Sequence, residues 1–180
     1  RKIIFSLLLV VVLSIFLLVS QPVKTQRQNS INEQNLKYLN NQVIIVEPCD
    51  TSGERQPNVK VDIGYDDSYA NRDYYGYTNE YSQLVYVHAD EIIIQNDEEE
   101  NVNSNGRYCS DEAEVAGTEN PNLDKGHAIA DSLGGVSNAY NITPQDSLLN
   151  RTGEQATMEE FIRNAEKNGE TITDFNYYIE

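Results

Sequence analysis

Leu123-Asp124-Lys125-Gly126-His127, running on through Ala128-Ile129-Ala130-Asp131-Ser132-Leu133-Gly134-Gly135, is the stretch that decides how this chain is read. After it come Asn141-Ile142-Thr143-Pro144-Gln145, then Leu149-Asn150, then Glu159 and Arg163. Working outward, Met158, Phe161, Ile162 and Ala165 recur at i, i+3, i+4 and i+7, which is one face of a helix. Thr152 fits its N-cap and Gly169 the residue just past its end. Glu170 to Tyr178 then resumes a strand pattern through Ile172, Phe175 and Tyr177. Upstream, Val43-Ile44-Ile45-Val46 is a β-branched run, and Val59 to Ile63 alternates apolar with polar. Gln83 to Val87 and Glu91 to Ile94 read as two further strands, with His88 between them in a structural position. Strands clustered before one clear helix predict an α+β fold built on a mostly antiparallel sheet.

The chain has 180 residues, enough for one ordinary domain. Arg1-Lys2 followed by the apolar run Ile3 to Val19 reads as a secretory signal ending near Leu18-Val19-Ser20, with a retained membrane anchor as the alternative. Residues 21–41 are polar and rich in Gln and Asn, a tether, which leaves residues 42–180 as the domain. In an exported chain Cys49 and Cys109 suggest one disulfide, and two unpaired thiols are the other reading. The two cysteines do not make a structural zinc site, which wants four ligands at close spacing, and His88 and His127 are the only histidines. The net charge of −16 is the reverse of what a basic-faced nucleic-acid binder carries. Residues 90–119 concentrate the acid, with Arg107 their sole base, and read as a solvated loop. The tyrosine-rich segment Tyr65 to Tyr86 reads as an aromatic sheet face, base stacking being the other use of such a stretch.

The opening stretch resembles the DNA/RNA non-specific endonucleases of the ββα-metal, or His-Me finger, class. Their Asp-Arg-Gly-His signature is matched by Asp124-Lys125-Gly126-His127, with lysine in place of arginine. Their Asn-apolar-x-Pro-Gln segment is matched by Asn141 to Gln145. Their metal-binding Asn lies nine residues beyond the first Asn, here at Asn150, and their Glu-x-x-x-Arg is matched by Glu159 and Arg163. The likeness runs from about Asn79 to Tyr178, its leading hairpin beginning at Thr78-Asn79-Glu80.

The resemblance implies a hairpin–helix unit on the sheet and a site for cutting phosphodiesters. His127 would be the general base, and Asn150 the one direct protein ligand of Mg²⁺, with Mn²⁺ as a substitute. Asn141 would orient the base or the metal-bound waters, and Glu159 would hold those waters. Arg163 would contact phosphate or hold Glu159, Lys125 and Arg107 would receive phosphates, and Asp124 and Gly126 would support the hairpin. The chemistry suits the residue types. A neutral imidazole takes a proton from water near neutral pH, and a hard cation neutralises charge on the transition state. Mg²⁺ keeps several waters, so one amide oxygen can suffice.

Each residue also has a plainer reading. His127 is then a turn histidine, Glu159 and Arg163 a surface ion pair. Asn141-Ile142-Thr143 and Asn150-Arg151-Thr152 are glycosylation sequons. The expectation is a secreted or surface-tethered Mg²⁺-dependent endonuclease acting on DNA, with RNA as a second substrate. Its membrane contact would run through residues 1–20 alone if these are retained. The rival is a degenerate relative that binds without cutting, which the Arg-to-Lys change and the acidic balance favour. Lysine keeps the charge but loses the planar fork that grips phosphate by two bonds.

Overall fold

The computed structural model describes residues 42–179; the signal or anchor over 1–20 and the tether over 21–41 lie outside them. The elements are β1 (Val43–Ile44), β2 (Lys60–Asp62), β3 (Tyr74–Thr78), β4 (Leu84–Glu91), β5 (Leu123–His127), β6 (Ile142–Asp146), α1 (Ser147–Thr152), α2 (Glu154–Lys167) and β7 (Thr173–Tyr178). The main sheet has the order β1-β2-β3-β4-β7, and every pairing except β1 with β2 is antiparallel. β5 and β6 form a separate antiparallel hairpin that pairs His127 with Ile142. The class is α+β and mostly antiparallel, with the hairpin followed directly by helix.

The two strands expected at Gln83–Val87 and Glu91–Ile94 are one strand, β4, which carries His88 in its middle. The strand runs on without a break through Ala89, because β7 pairs along that edge from Tyr86 to Glu91. Ile92 leaves the sheet and is buried in the core. His88 hydrogen-bonds Asp90 and Asn176 on the sheet surface, far in chemistry from any base role. Tyr74, Tyr75, Tyr77 and Tyr86 are strand residues, whereas Tyr65, Tyr69 and Tyr81 lie outside the strands; Tyr77, Tyr86 and Tyr178 form a ladder with ring centroids 5.1 and 4.9 Å apart. Tyr74 is fully buried, with its hydroxyl on the Leu133 and Ile93 carbonyls.

The helix also differs from its reading. Asp146 caps α1 through Leu148 N and Leu149 N, and Thr152 is the last residue of α1 rather than a cap. Gly153 separates α1 from α2. Ile162 and Ala165 are buried with Met158 packed beside them, whereas Phe161 stands exposed on the other side. At the far end the N–H groups of Gly169 and Glu170 bond back to Glu166 O and Ala165 O, the two bonds of a Schellman motif.

The acidic stretch is not uniformly solvated. Glu100 is buried and forms an ion pair with the equally buried Arg72, at 2.9 Å, with the Tyr108 hydroxyl also on its carboxylate. Arg72 further bonds the carbonyls of Tyr65 and Ile93, so one cation ties β3 to two loops. Cys49 and Cys109 are joined in a disulfide across a separation of 60 residues. A closed loop of that size is worth about 4 kcal/mol against the unfolded chain.

Candidate active site

The site is built around the long connection between β5 and β6. Asn141 is fully buried, and its amide is committed to the main chain. Its Oδ1 accepts from Ile129 N at 3.0 Å, and its Nδ2 donates to Ile129 O at 2.8 Å and Val136 O at 2.6 Å. It therefore pins the Ile129–Val136 turn and does not orient the base or metal-bound waters from within the cleft. Gly134 and Gly135 make this possible. A side chain on Gly135 would lie 2.0 Å from Ile129 O, and one on Gly134 2.1 Å from Arg72 Nε. The pinned turn carries Asp131 and Ser132, two residues that sequence reading did not single out.

A cleft of about 370 Å³ is lined by Arg107, Glu112, Lys125, His127, Asp131, Asn150 and Glu159 among others. The strand β5 sets Lys125 and His127 on it. A Cβ on Gly126 between them would sit 2.1 Å from Gln145 Cδ, so a side chain there would displace Gln145. Gln145 lies across that gap, with its Nε2 reaching His127 O at 3.4 Å and Thr143 Oγ1 at 3.1 Å. Gln155 from α2 donates to the same His127 carbonyl at 3.3 Å and to Glu159 Oε1 at 3.0 Å. His127 and Glu159 thus share one backing residue.

The His127 imidazole has Nε2 at 3.3 Å from Ser137 Oγ and 3.9 Å from Asp131 Oδ2. Burial pushes it below its ordinary pKa, Asp131 opposes this, and Arg107 adds to it. Glu159 is pushed up by burial, against the Gln155 hydrogen bond and the charge of Arg163.

Asp124 joins hairpin to helix rather than strand to strand. Its carboxylate accepts from Ser147 Oγ, from Arg151 Nε and Nη2, and from Asn150 Nδ2 at 3.2 Å. The Arg151 hydrogen bond leads in holding it at about 2. With its nitrogen donated to Asp124, Asn150 has its amide oxygen left for another partner.

The cations expected to receive phosphate are largely engaged. Lys125 is bonded to the Glu114 carboxylate and to Glu112 O. Arg107 pairs with Glu112 at 2.6 Å and Asp131 at 2.8 Å. Arg163 donates to Ser132 Oγ at 3.0 Å and lies 3.8 Å from Glu159.

A family model described as DNA/RNA non-specific endonuclease matches residues 57–177. The chain belongs to the DNA/RNA non-specific endonuclease family. The match begins earlier than the leading hairpin, and the structure gives the reason. The end of β2 is stitched to the site turn by Tyr65 N to Gly134 O and Val136 N to Ile63 O. No curated protein matches the chain. As a member of this family it is a nuclease, a hydrolase of nucleic acid.

The donor set of this endonuclease cleft fits a hard ion. The Asn150 oxygen and the Asp131 and Glu159 carboxylates are oxygen donors on one cleft, and Asp131 Oδ1 is buried with no hydrogen-bond partner. Among the described residues no group of three or more His, Cys, Asp or Glu is arranged to hold a metal alone. Oxygen donors too few to complete a shell suit an ion that keeps its water, such as Mg²⁺, better than zinc.

Proposed function

We propose that this protein is a secreted, metal-dependent, sequence-non-specific endonuclease that uses His127 as its general base. The observation that carries the reading is the gathering of His127, Asn150 and Glu159 on one cleft, with Gln155 bracing His127 and Glu159 and with Asp124 bracing Asn150. Asp131 beside Nε2 favours the tautomer protonated there. Nδ1 then holds the lone pair that takes a proton from the attacking water. The Asn150 oxygen would hold Mg²⁺ or Mn²⁺, with Glu159 and Asp131 hydrogen-bonding its waters. Such an ion supplies charge neutralisation at the phosphate and help for the departing oxygen. Arg163, free of a close ion pair, is the cation best placed to meet a phosphate oxygen. DNA is the substrate proposed, with RNA open to the same chemistry. The disulfide supports an oxidising compartment. Incubating the purified protein with supercoiled plasmid and with RNA, each with Mg²⁺ and with excess chelator, is the test. Cutting that needs the metal supports the reading. Binding without cutting would instead establish the degenerate relative.

A further inference from the structure

A second cleft, of about 390 Å³, adjoins the first, and Ser132 lines both. Arg163 and Lys167, one turn apart on α2, form one wall, and Tyr69, Asn96 and Asp97 line the remainder with Ser132. Its size falls in the range of about 300–1,000 Å³ in which pockets enclose small organic groups.

The charge pattern singles it out. Near the catalytic cleft, Lys125, Arg107 and Arg151 are each held by carboxylates. Arg72 is buried against Glu100, and Lys60 sits 3.5 Å over the Tyr75 ring. Among the described residues Lys167 is the one Lys or Arg with no ion pair, hydrogen bond or ring contact, and Arg163 beside it has a 3.8 Å approach to Glu159 and a 3.0 Å hydrogen bond to Ser132 Oγ. On a chain of net charge −16, this pair offers an anion positive charge with no short ion pair, whereas Arg55, which also lacks a carboxylate, is spent on the Ala139 and Ile142 carbonyls.

The aromatic is presented in the same way. Asp67 Oδ1 accepts from Tyr69 N at 2.7 Å and Ala70 N at 3.2 Å, and this fixes the backbone on which Tyr69 sits. Tyr69 is 42% exposed, and its ring stacks on no other ring among the described residues. A rigidly mounted aromatic beside two cations is the combination that holds single-stranded nucleic acid, where bases stack and phosphates pair. The acid at the rim, Asp97, has a hydrogen-bond donor when the Gln95 amide is turned so that its nitrogen lies 3.3 Å from Asp97 Oδ1.

Resting on the nuclease reading, we propose that this second cleft is a subsite for the nucleotide flanking the scissile phosphate on an unpaired strand. Arg163 and Lys167 receive its phosphate, and Tyr69 stacks on its base. The subsite gives the enzyme a preference for single-stranded or unpaired stretches, because a paired base has no free face for Tyr69.

Fluorescence anisotropy with a labelled single-stranded oligonucleotide, in chelator so that no turnover occurs, tests this on the wild-type chain and on Tyr69→Ala, Tyr69→Phe and Lys167→Ala. Both positions are surface-exposed, and unchanged melting temperatures confirm intact folding. Tyr69→Ala weakens single-strand binding roughly tenfold to hundredfold, the range for losing one stacked base. Tyr69→Phe keeps it, and duplex binding does not change. Lys167→Ala lowers the salt slope on a single strand by about 0.7. A minimal chromogenic phosphodiester, too short to reach the subsite, is hydrolysed equally by all four proteins. Wild-type affinity in Tyr69→Ala, an unchanged slope in Lys167→Ala, or no single-strand binding by the wild type overturns the subsite. A protein that binds as described and cuts nothing leaves the subsite standing and overturns the catalytic reading instead.

Discussion

His127 is kept neutral by its burial, so its lone pair is available below the pH at which an exposed histidine would lose its proton. The cutting rate is expected to climb with pH from the acid side, with its half-point below the ordinary 6.5 of imidazole. Loss of the Glu159 proton, raised above its usual range by burial, strengthens the metal site in the same direction. A rate–pH profile with a half-point above neutrality would contradict this. His127→Ala should cut about 10²- to 10⁴-fold more slowly, the usual worth of a positioned base, while oligonucleotide affinity holds. His88→Ala, on the sheet surface, should be silent in the same assay. Asn150→Ala should lose Mn²⁺ or Mg²⁺ affinity in a calorimetric titration, and Glu159→Ala should lose about 10- to 100-fold, as residues behind a ligand do. An unchanged metal affinity in Asn150→Ala would move the ligand elsewhere. At this scale the motif letters were legible, but Asn141 was not. An asparagine in a motif says nothing about whether its amide faces solvent or main chain, and here burial made it a clamp. Asp131 and Ser132 lay in plain view between two motifs, yet no spacing rule marks them, since a folded turn brings them to the cleft.

The elements meet at Asp124. It holds Ser147, Asn150 and Arg151, and so docks α1 on β5 and sets the angle of the Asn150 amide. Its carboxyl is lowered from 3.8 to about 2, so the stability it contributes is full above pH 4 and lost as pH falls through 2. Asp124→Asn should therefore melt at lower temperature at pH 7 and lose the acid-induced part of the wild-type decline between pH 4 and 2. It should also weaken metal binding by about tenfold, because Asn150 loses a charged acceptor. Melting curves across that pH range, paired with a metal titration, check both. A variant with wild-type stability but poor metal binding would mean that Asp124 orients the amide without docking the helix. The existence of α2 and its Ile162 stripe was legible from periodicity, whereas its start was not. Thr152 and Asp146 are both good cap residues, and Gly153 just after Thr152 breaks the run into two helices. The single long β4 was hidden because its partner β7 comes from the far end of the chain, and local sequence cannot show that ladder.

For the whole molecule, the imbalance of charge matters more than any one pair. With Lys125, Arg107 and Arg151 already held by carboxylates, few cations remain to release counterions. At about −0.9 per neutralised phosphate on duplex DNA, the salt slope of binding should be shallow. Neutralising Asp97, Glu98 and Glu99 together as Asn and Gln should speed cutting at low salt. The gain should fade near physiological salt, where charges are screened beyond about 8 Å. Stopped-flow encounter rates at two salt concentrations would show it, and a steep salt slope would overturn it. Glu100 must be left out of that variant, because removing it strands the buried Arg72 charge. The sequence by itself determined the α+β class, the endonuclease family and the motif residues His127, Asn150, Glu159 and Arg163. Those follow from local periodicity and from residue types at fixed spacings, which the linear chain carries in full. Only the tertiary structure decided that Glu100 is buried, that Asn141 is a clamp, that Lys125 and Arg107 are already paired, and that Tyr69 stands beside Lys167. Each of these depends on how the folded chain brings side chains together, over 5 residues for Asn141 with Val136 and over 28 for Arg72 with Glu100, and burial and the choice of partner are set by packing.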